Sequence, residues 1–186
     1  MTARCAVVVI AAMAAACRGL VAGEVVAEPG GYRMENYRAP VPESLTGGRR
    51  LSTAEAEALW REKTSAFIDV LPRPPRPKGL PEKTVWRDTP RRDIPRSIWL
   101  PDTGYGRLSP AMEDYFRRGL DHASHGDKSA SLVFYCQAEC WMSWNAAKRA
   151  LTYGYLHVAW YPDGTDGWQK AGLATEEVEP QPRPDE

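Results

Sequence analysis

Apolar residues recur along the chain in two alternating patterns. Four short runs are apolar almost throughout, which predicts buried strands. The runs cover residues 66–70, 97–100, 131–135 and 156–161. Between the second and third runs, Met112, Tyr115, Phe116 and Leu120 recur at helical spacing. This order of strands and helices predicts an α/β sandwich with a mainly parallel sheet.

Helix starts are marked by capping residues. Ser52 and Glu55 form a capping box, which predicts a helix from about 53 to 63. Ser109 followed by Pro110 predicts a second helix, which should end near His122. A third helical pattern follows the run 131–135, with a short connection between them.

The remaining segments predict how the chain is divided. Residues 1–23 contain a short apolar run after one basic residue, which predicts a cleaved signal peptide. Residues 24–50 are rich in Gly, Pro and Tyr and predict an extended N-terminal arm. The domain is then expected over 51–175, and residues 176–186 are expected to form a disordered tail. Five prolines at 72, 74, 75, 77 and 81 predict a polyproline-like surface loop.

Charge and targeting narrow the class of partner. The 24 Lys and Arg residues balance 24 Asp and Glu residues, so no charge excess favours nucleic acid. The apolar run in the leader is too short to span a membrane. No transmembrane span is expected in the chain that remains after cleavage. We therefore expect an exported protein.

Cleavage of the leader would leave Cys136 and Cys140 as the cysteines of the mature chain. In an oxidising compartment such a pair is either a structural disulfide or a redox couple. Cys136 lies between the end of a predicted strand and the start of a helix. Unpaired backbone N–H groups and the helix dipole at that point favour a thiolate or another anion.

Several segments resemble rhodanese-like domains. Phe67–Val70 is similar to their early strand, and Asp93–Ile98 to their His-Ile-Pro-Gly-Ala segment, with Asp in place of His. Tyr135-Cys136 and Gly164–Leu173 are similar to parts of their C-terminal half. The resemblance covers roughly residues 50–175 and implies a three-layer sandwich, with helices on both faces of the sheet.

The stretch Cys136–Lys148 (CQAECWMSWNAAK) more narrowly resembles the PQQ-dependent catabolism-associated CXXCW motif proteins. This resemblance implies an exported protein linked to alcohol oxidation by periplasmic quinoprotein dehydrogenases. A dehydrogenase, a cytochrome c or a transporter component is then the expected partner. The sequence shows no cofactor motif, and a redox cofactor or a metal held by the cysteines with a histidine stays an open alternative.

The resemblance assigns chemistry to two residues. Cys136 matches the rhodanese cysteine that carries a sulfane sulfur, and Cys140 is placed to resolve a persulfide or mixed disulfide on it. The two cysteines are therefore the candidate catalytic residues of a sulfurtransferase or a thiol-disulfide redox protein. The supporting candidates are Gln137, Ala138, Glu139, Trp141 and Asp69.

Departures from the family pattern limit this chemistry. Glu139 occupies the position of the loop glycine usual in that family, and its carboxylate would repel thiosulfate and raise the pKa of the cysteine. The loop carries no Arg or Lys before Lys148, and Met142 occupies the position where phosphatases of this fold need arginine. Trp141 follows the second cysteine, whereas covalent haem attachment needs histidine. A static clamp and a non-catalytic binding module remain alternatives to redox or sulfur transfer.

Overall fold

The predicted order of strands and helices is present in the computed structural model, which describes residues 26–73, 78–81, 83–84 and 90–183. The elements are β1 (Arg49–Arg50), α1 (Thr53–Glu62), β2 (Ser65–Asp69), β3 (Arg91–Asp93), β4 (Ile98–Trp99), α2 (Pro110–Ser124), β5 (Ser131–Tyr135), α3 (Trp141–Thr152), β6 (His157–Tyr161), α4 (Gly164–Lys170) and β7 (Glu176–Val178). The four predicted strands and the first two predicted helices lie within two residues of these bounds.

Five strands form the main sheet, in the order β1-β6-β5-β2-β4, and each neighbouring pair is parallel. The α/β architecture with a mainly parallel sheet is therefore confirmed. The register aligns Asp69, Tyr135 and Tyr161 at the carboxyl ends of β2, β5 and β6. This alignment places the ends of three neighbouring strands at one edge of the sheet.

Side chains of β5 alternate between the two faces of the sheet, as a strand requires. Leu132 and Phe134 belong to the larger core cluster, which also holds the apolar side chains of α2 and α3. Val133 and Tyr135 belong to a second cluster with side chains of α1 and α4, including Trp168. The helices thus form two outer layers around one sheet. Burial on both faces explains why β5 is apolar almost throughout.

The predicted helix caps are confirmed. Glu55 accepts a hydrogen bond from the Ser52 backbone, and the Ser52 hydroxyl accepts one from the Glu55 backbone, completing the capping box of α1. The Ser109 hydroxyl accepts from the backbone of Met112, and Pro110 begins α2. Each cap satisfies a backbone N–H group that has no partner inside its helix.

The prediction of a disordered tail is corrected for residues 176–183. Strand β7 pairs antiparallel with β3, and Gln181 donates its backbone N–H to the carbonyl of Trp99 at 2.9 Å. The Tyr115 hydroxyl donates to the carbonyl of Gln181, also at 2.9 Å. These bonds are largely main-chain contacts with distant residues, so the charged, proline-containing sequence gave no periodic signal for them.

Two predictions fall on parts of the chain outside the described residues. The predicted signal peptide over 1–23 is one of them, and the other is the stretch 74–77 of the proline-rich loop, which holds three of its five prolines. Within the described ranges, no helix combines the length and the apolar character needed to cross a membrane.

Candidate functional site

A disulfide joins Cys136 and Cys140 at the carboxyl edge of the sheet, with their Cα atoms 6.4 Å apart. Cys136 follows the last residue of β5, and Cys140 is the N-cap residue of α3. Because β5 is the middle strand of the sheet, the bond lies at the centre of the edge where parallel α/β sheets bind ligands. The structure therefore brings together the two residues that the sequence predicts to be catalytic.

An N-terminal segment crosses the loop between the two cysteines. We call residues 33–45 the strap. Ala39 of the strap donates its backbone N–H to the carbonyl of Glu139 at 3.2 Å. Trp141, the first residue of α3, donates its backbone N–H to the carbonyl of Tyr37 at 2.9 Å. The strap therefore pairs with the loop as a short antiparallel bridge.

The strap and the core together bury the disulfide. Cys136 is fully buried, and Cys140 is 2% exposed. Arg38 of the strap forms the antiparallel bridge with Cys140, and its guanidinium donates to the side-chain carbonyl of Gln137 at 2.9 Å. The oxidised sulfurs are consequently not open to solvent in this conformation.

The expectation that unpaired amides surround the cysteine is corrected at two positions of the loop. The backbone N–H of Ala138 donates to the carboxylate of Asp166 at 3.1 Å, and that of Trp141 donates to the carbonyl of Tyr37. Both N–H groups already donate to oxygens of the protein, so neither is free to bind a thiosulfate or persulfide anion. Local sequence could not predict this, because both acceptors come from distant segments.

Glu139 occupies a left-handed backbone conformation, with φ of 51°, and it is exposed. That conformation favours glycine and costs a non-glycine residue roughly 1–2 kcal/mol. Glu139 therefore occupies a position whose backbone conformation glycine would adopt without strain. The carbonyl of Glu139 accepts the hydrogen bond from the backbone N–H of Ala39. The same turn that strains Glu139 therefore also carries a contact between the loop and the strap.

Three donors converge on the carbonyl oxygen of Cys136. The backbone N–H of Thr165 lies 3.0 Å away, its hydroxyl 3.2 Å away, and a guanidinium nitrogen of Arg91 3.4 Å away. Gln137 forms an antiparallel bridge with Gly164, at the start of α4. These contacts fix the backbone of the first cysteine, and sequence reasoning missed Thr165, Arg91 and Gly164 as its neighbours.

Arg91 also belongs to a buried cluster of charged side chains. Its Nε contacts a carboxylate oxygen of Asp69 and lies 3.7 Å from Oδ2 of Asp93. Both carboxyl groups are fully buried. The Tyr135 hydroxyl donates to Asp93 at 2.6 Å, and the backbone of Leu71 donates to Asp69 at 2.9 Å. The predicted supporting residue Asp69 is thus joined to the Cys136 carbonyl through Arg91.

Two carboxyl groups share one guanidinium in this cluster, and that imbalance favours retention of a proton. Burial and the nearby charge of Asp93 raise the pKa of Asp69 well above 3.8, while Arg91 opposes the shift. Burial also raises the pKa of Tyr135 well above its usual value, so this hydroxyl stays protonated and donates to Asp93.

We expect the Asp69→Asn substitution to remove a pH dependence of stability. The folded protein holds the Asp69 proton above pH 3.8, where the unfolded chain loses it. This contribution to the free energy of unfolding is therefore lost as the pH rises through the folded pKa. Urea unfolding over a pH series should show the variant gaining stability relative to the wild type as the pH rises. Glu35→Gln, at an exposed carboxylate, is the matched control.

The two tryptophans beside the cysteines are core residues that also hold the strap. The rings of Trp141 and Trp144 meet edge to face, with centroids 5.5 Å apart, and both are buried. The indole N–H of Trp141 donates to the carbonyl of Pro40 at 3.0 Å, and that of Trp144 to Ser44 at 3.1 Å. Packing therefore accounts for both rings, and neither offers an exposed face on which a planar ligand could stack.

A groove of about 370 Å³ opens on the Arg91 side of the cysteine loop. Its lining includes Arg91, Gln137 and Thr165, which are the residues around the Cys136 carbonyl. A second groove, of about 450 Å³, borders Ala138 and Asp166. Among the described residues, no group of three or more potential metal-ligating His, Cys, Asp or Glu side chains is found.

Comparisons with known proteins do not identify a family for the chain. No protein-family model matches it, and no curated protein does. Among solved structures, a polysulfide-sulfur transferase homodimer from Wolinella succinogenes matches with 17% identity, covering 72% of this chain and 82% of that chain, with a TM-score of 0.45. A protein of unknown function from Rhodopseudomonas palustris, described as a possible tyrosine phosphatase, matches with 21% identity, coverages of 70% and 86%, and a TM-score of 0.42.

An uncharacterized protein from Saccharomyces cerevisiae matches with 20% identity, covering 67% of this chain and 92% of that chain, with a TM-score of 0.41. These similarities are too low in identity and TM-score to carry an argument about activity. The α/β architecture rests on the sheet order and register of the chain itself.

Proposed function

We propose that Cys136 and Cys140 form a redox-active couple in an exported, rhodanese-like protein. The observation that carries this proposal is the disulfide at the carboxyl end of the central strand. A bond that closes so short a loop restricts the unfolded chain little, so stabilisation alone explains its placement poorly. A dithiol-disulfide couple at this edge can exchange two electrons with a partner.

The proposed cycle proceeds by thiol-disulfide exchange. A dithiol donor attacks the disulfide, forms a mixed disulfide with one cysteine and releases the other as a thiolate. The second thiol of the donor then attacks the donor sulfur of the mixed disulfide and displaces the bound cysteine as a thiolate, so the donor leaves as a disulfide and both cysteines are reduced. In the alternative sulfur-transfer cycle, the reduced Cys136 thiolate takes the outer sulfur of a sulfane donor, and the donor leaves as its desulfurised anion. Attack by Cys140 on the inner sulfur of the Cys136 persulfide then restores the disulfide and releases hydrogen sulfide.

Redox exchange is favoured over use of small sulfane donors. Asp166 and Tyr37 occupy the amides of Ala138 and Trp141, and Glu139 adds a negative charge to the loop. A small anion such as thiosulfate would have to displace these oxygens before it reached Cys136. The thiolate of a protein partner attacks a sulfur of the disulfide directly and would not need those amides for binding.

The biological setting follows from the resemblance of Cys136–Lys148 to the CXXCW motif proteins and from the leader over 1–23. We propose that the protein acts in the periplasm, in PQQ-dependent alcohol oxidation. The partner would be a quinoprotein dehydrogenase, a cytochrome c or a transporter component.

Trapping the mixed disulfide tests this function. In a Cys140→Ser variant the resolving thiol is absent, so a Cys136 thiolate that attacks the disulfide of an oxidised partner, displacing one of its sulfurs, should retain that partner as a covalent adduct. Non-reducing electrophoresis and intact mass of protein taken from the periplasm should reveal that adduct. The Cys136→Ser/Cys140→Ser variant is the control and should carry none. Absence of an adduct from the single variant would contradict the redox proposal.

A non-catalytic binding module is the second candidate, and the burial of both sulfurs favours it. Under this proposal the disulfide only shapes the loop beneath the strap. The variant with both cysteines changed to Ser should then recover the same periplasmic partner as the wild type in a pull-down. Loss of that partner would count against the module and for a role of the sulfurs.

A further inference from the structure

The two ends of the strap are firmly held by α3. The side chain of Asn145 accepts a hydrogen bond from the backbone N–H of Arg33 and donates one to its carbonyl, each at 2.8 Å. At the far end, Trp144 donates to the carbonyl of Ser44, and Leu45 is buried in the larger core cluster. Each anchor uses a buried side chain of the domain or buries one of its own.

The middle of the strap, residues 37–40, is attached differently. It meets the cysteine loop through the two main-chain bonds to Glu139 and Trp141 and through the indole bond to the carbonyl of Pro40. The side-chain contact from Arg38 to Gln137 is exposed. Tyr37 and Ala39 also pack against the larger core cluster, and the Tyr37 hydroxyl accepts from the backbone N–H of Gly106 at 3.1 Å, but every residue from 37 to 40 is half-buried or exposed. A segment without a fully buried side chain opens at lower free energy than anchors that bury one.

We propose that the strap is a gate on the disulfide: residues 37–40 lift while the anchors at Arg33 and Ser44–Leu45 hold, and the sulfurs become accessible only then. The proposal rests on the proposed redox function and specifies how that site is regulated. It follows from the burial of Cys136 and Cys140 together with the pairing of Arg38 opposite Cys140.

Gating makes reduction depend on the opening of the strap. A thiolate must approach one sulfur of the bond in line, and the buried sulfurs offer no such approach while residues 37–40 are paired. Once the strap lifts, a small dithiol reduces the bond in two exchanges and leaves as a cyclic disulfide. The rate of reduction therefore reports the population of the open strap when opening is fast.

The Ala39→Pro substitution tests the gate, because proline has no N–H to donate to the carbonyl of Glu139. Loss of one such backbone bond should increase the rate of reduction by dithiothreitol about threefold to tenfold. The full chain is reduced for timed intervals, its thiols are blocked with a maleimide, and the adducts of Cys136 and Cys140 are counted by intact mass. The matched control is Ala27→Pro, on the same arm at an exposed position, which should reduce at the wild-type rate.

Equal rates for Ala39→Pro, Ala27→Pro and the wild type would overturn the gate, including the case in which all three resist reduction. If Ala39→Pro does not fold, Arg38→Ala removes an exposed side-chain contact and should accelerate reduction by a smaller factor. The wild-type redox equilibrium is measured separately and judges the proposed function. Faster reduction of Ala39→Pro with a wild-type bond too stable to cycle would keep the gate and reject redox activity.

Discussion

Replacing Arg91 by leucine should lower the free energy of unfolding by about 3–5 kcal/mol, because the substitution removes the cation from a buried charged cluster. Asp69 and Asp93 are both fully buried, and Arg91 is their charged partner in the structure. Without it, a carboxylate must either stay ionised in the interior or take up a proton. The substitution also removes a donor to the carbonyl of Cys136.

Urea unfolding followed by tryptophan fluorescence measures this loss. Arg92→Leu is the matched control, since its side chain is 61% exposed and its ion pair with Glu177 is 4.0 Å long. Such an exposed pair contributes roughly 0–1 kcal/mol, so the control should stay close to the wild type. A similar loss in both variants would contradict the role assigned to Arg91.

A second substitution should restore part of the stability. In the variant Arg91→Leu/Asp93→Asn the remaining buried charge is removed, while the side-chain oxygen still accepts from Tyr135. The single variant should also recover relative to the wild type at low pH, where the buried carboxyl groups are protonated. Failure of both rescues would indicate that the loss comes from packing around Arg91 and not from charge.

Replacing Gly164 by alanine should cost about 2–5 kcal/mol and displace the first cysteine. An added Cβ at Gly164 would lie 2.4 Å from the carbonyl oxygen of Cys136 and 2.7 Å from its carbonyl carbon. Both are backbone atoms and cannot rotate away, so overpacking is expected at roughly 1–3 kcal/mol. The positive φ of 51° adds about 1–2 kcal/mol of backbone strain.

Gly154→Ala separates these two causes. Gly154 also has a positive φ, of 86°, but an added Cβ would meet nothing within 4 Å. The control should therefore show the backbone cost alone, and only Gly164→Ala should alter the reduction rate of the disulfide. Equal losses in the two variants, with unchanged reduction, would contradict a close contact between α4 and the cysteine loop.

The part of the site that local sequence could predict is the part that is contiguous in the chain. The apolar run of β5 fixes a central strand, so Cys136 falls at its carboxyl end and Cys140 within a short connection. The capping residues Ser52 and Ser109 fix two helix starts for the same reason. In each case a few neighbouring residues contain the whole signal.

The remainder depends on contacts between distant segments. Counting basic residues inside the loop missed Arg91 and Arg38, which reach the loop from β3 and from the strap. The strap pairs through backbone groups, which every residue carries, so its sequence does not reveal its partner. The same reason explains the failure to predict β7, whose charged side chains form no apolar pattern.

The equilibrium potential of the Cys136–Cys140 bond tests the central claim most directly. The full chain is equilibrated with defined ratios of oxidised and reduced dithiothreitol, and the thiols are then trapped and counted by mass. A cycling couple should have a potential above about −300 mV, where cellular thiol systems can reduce it. A potential well below that value would identify a permanent structural bond and contradict the account.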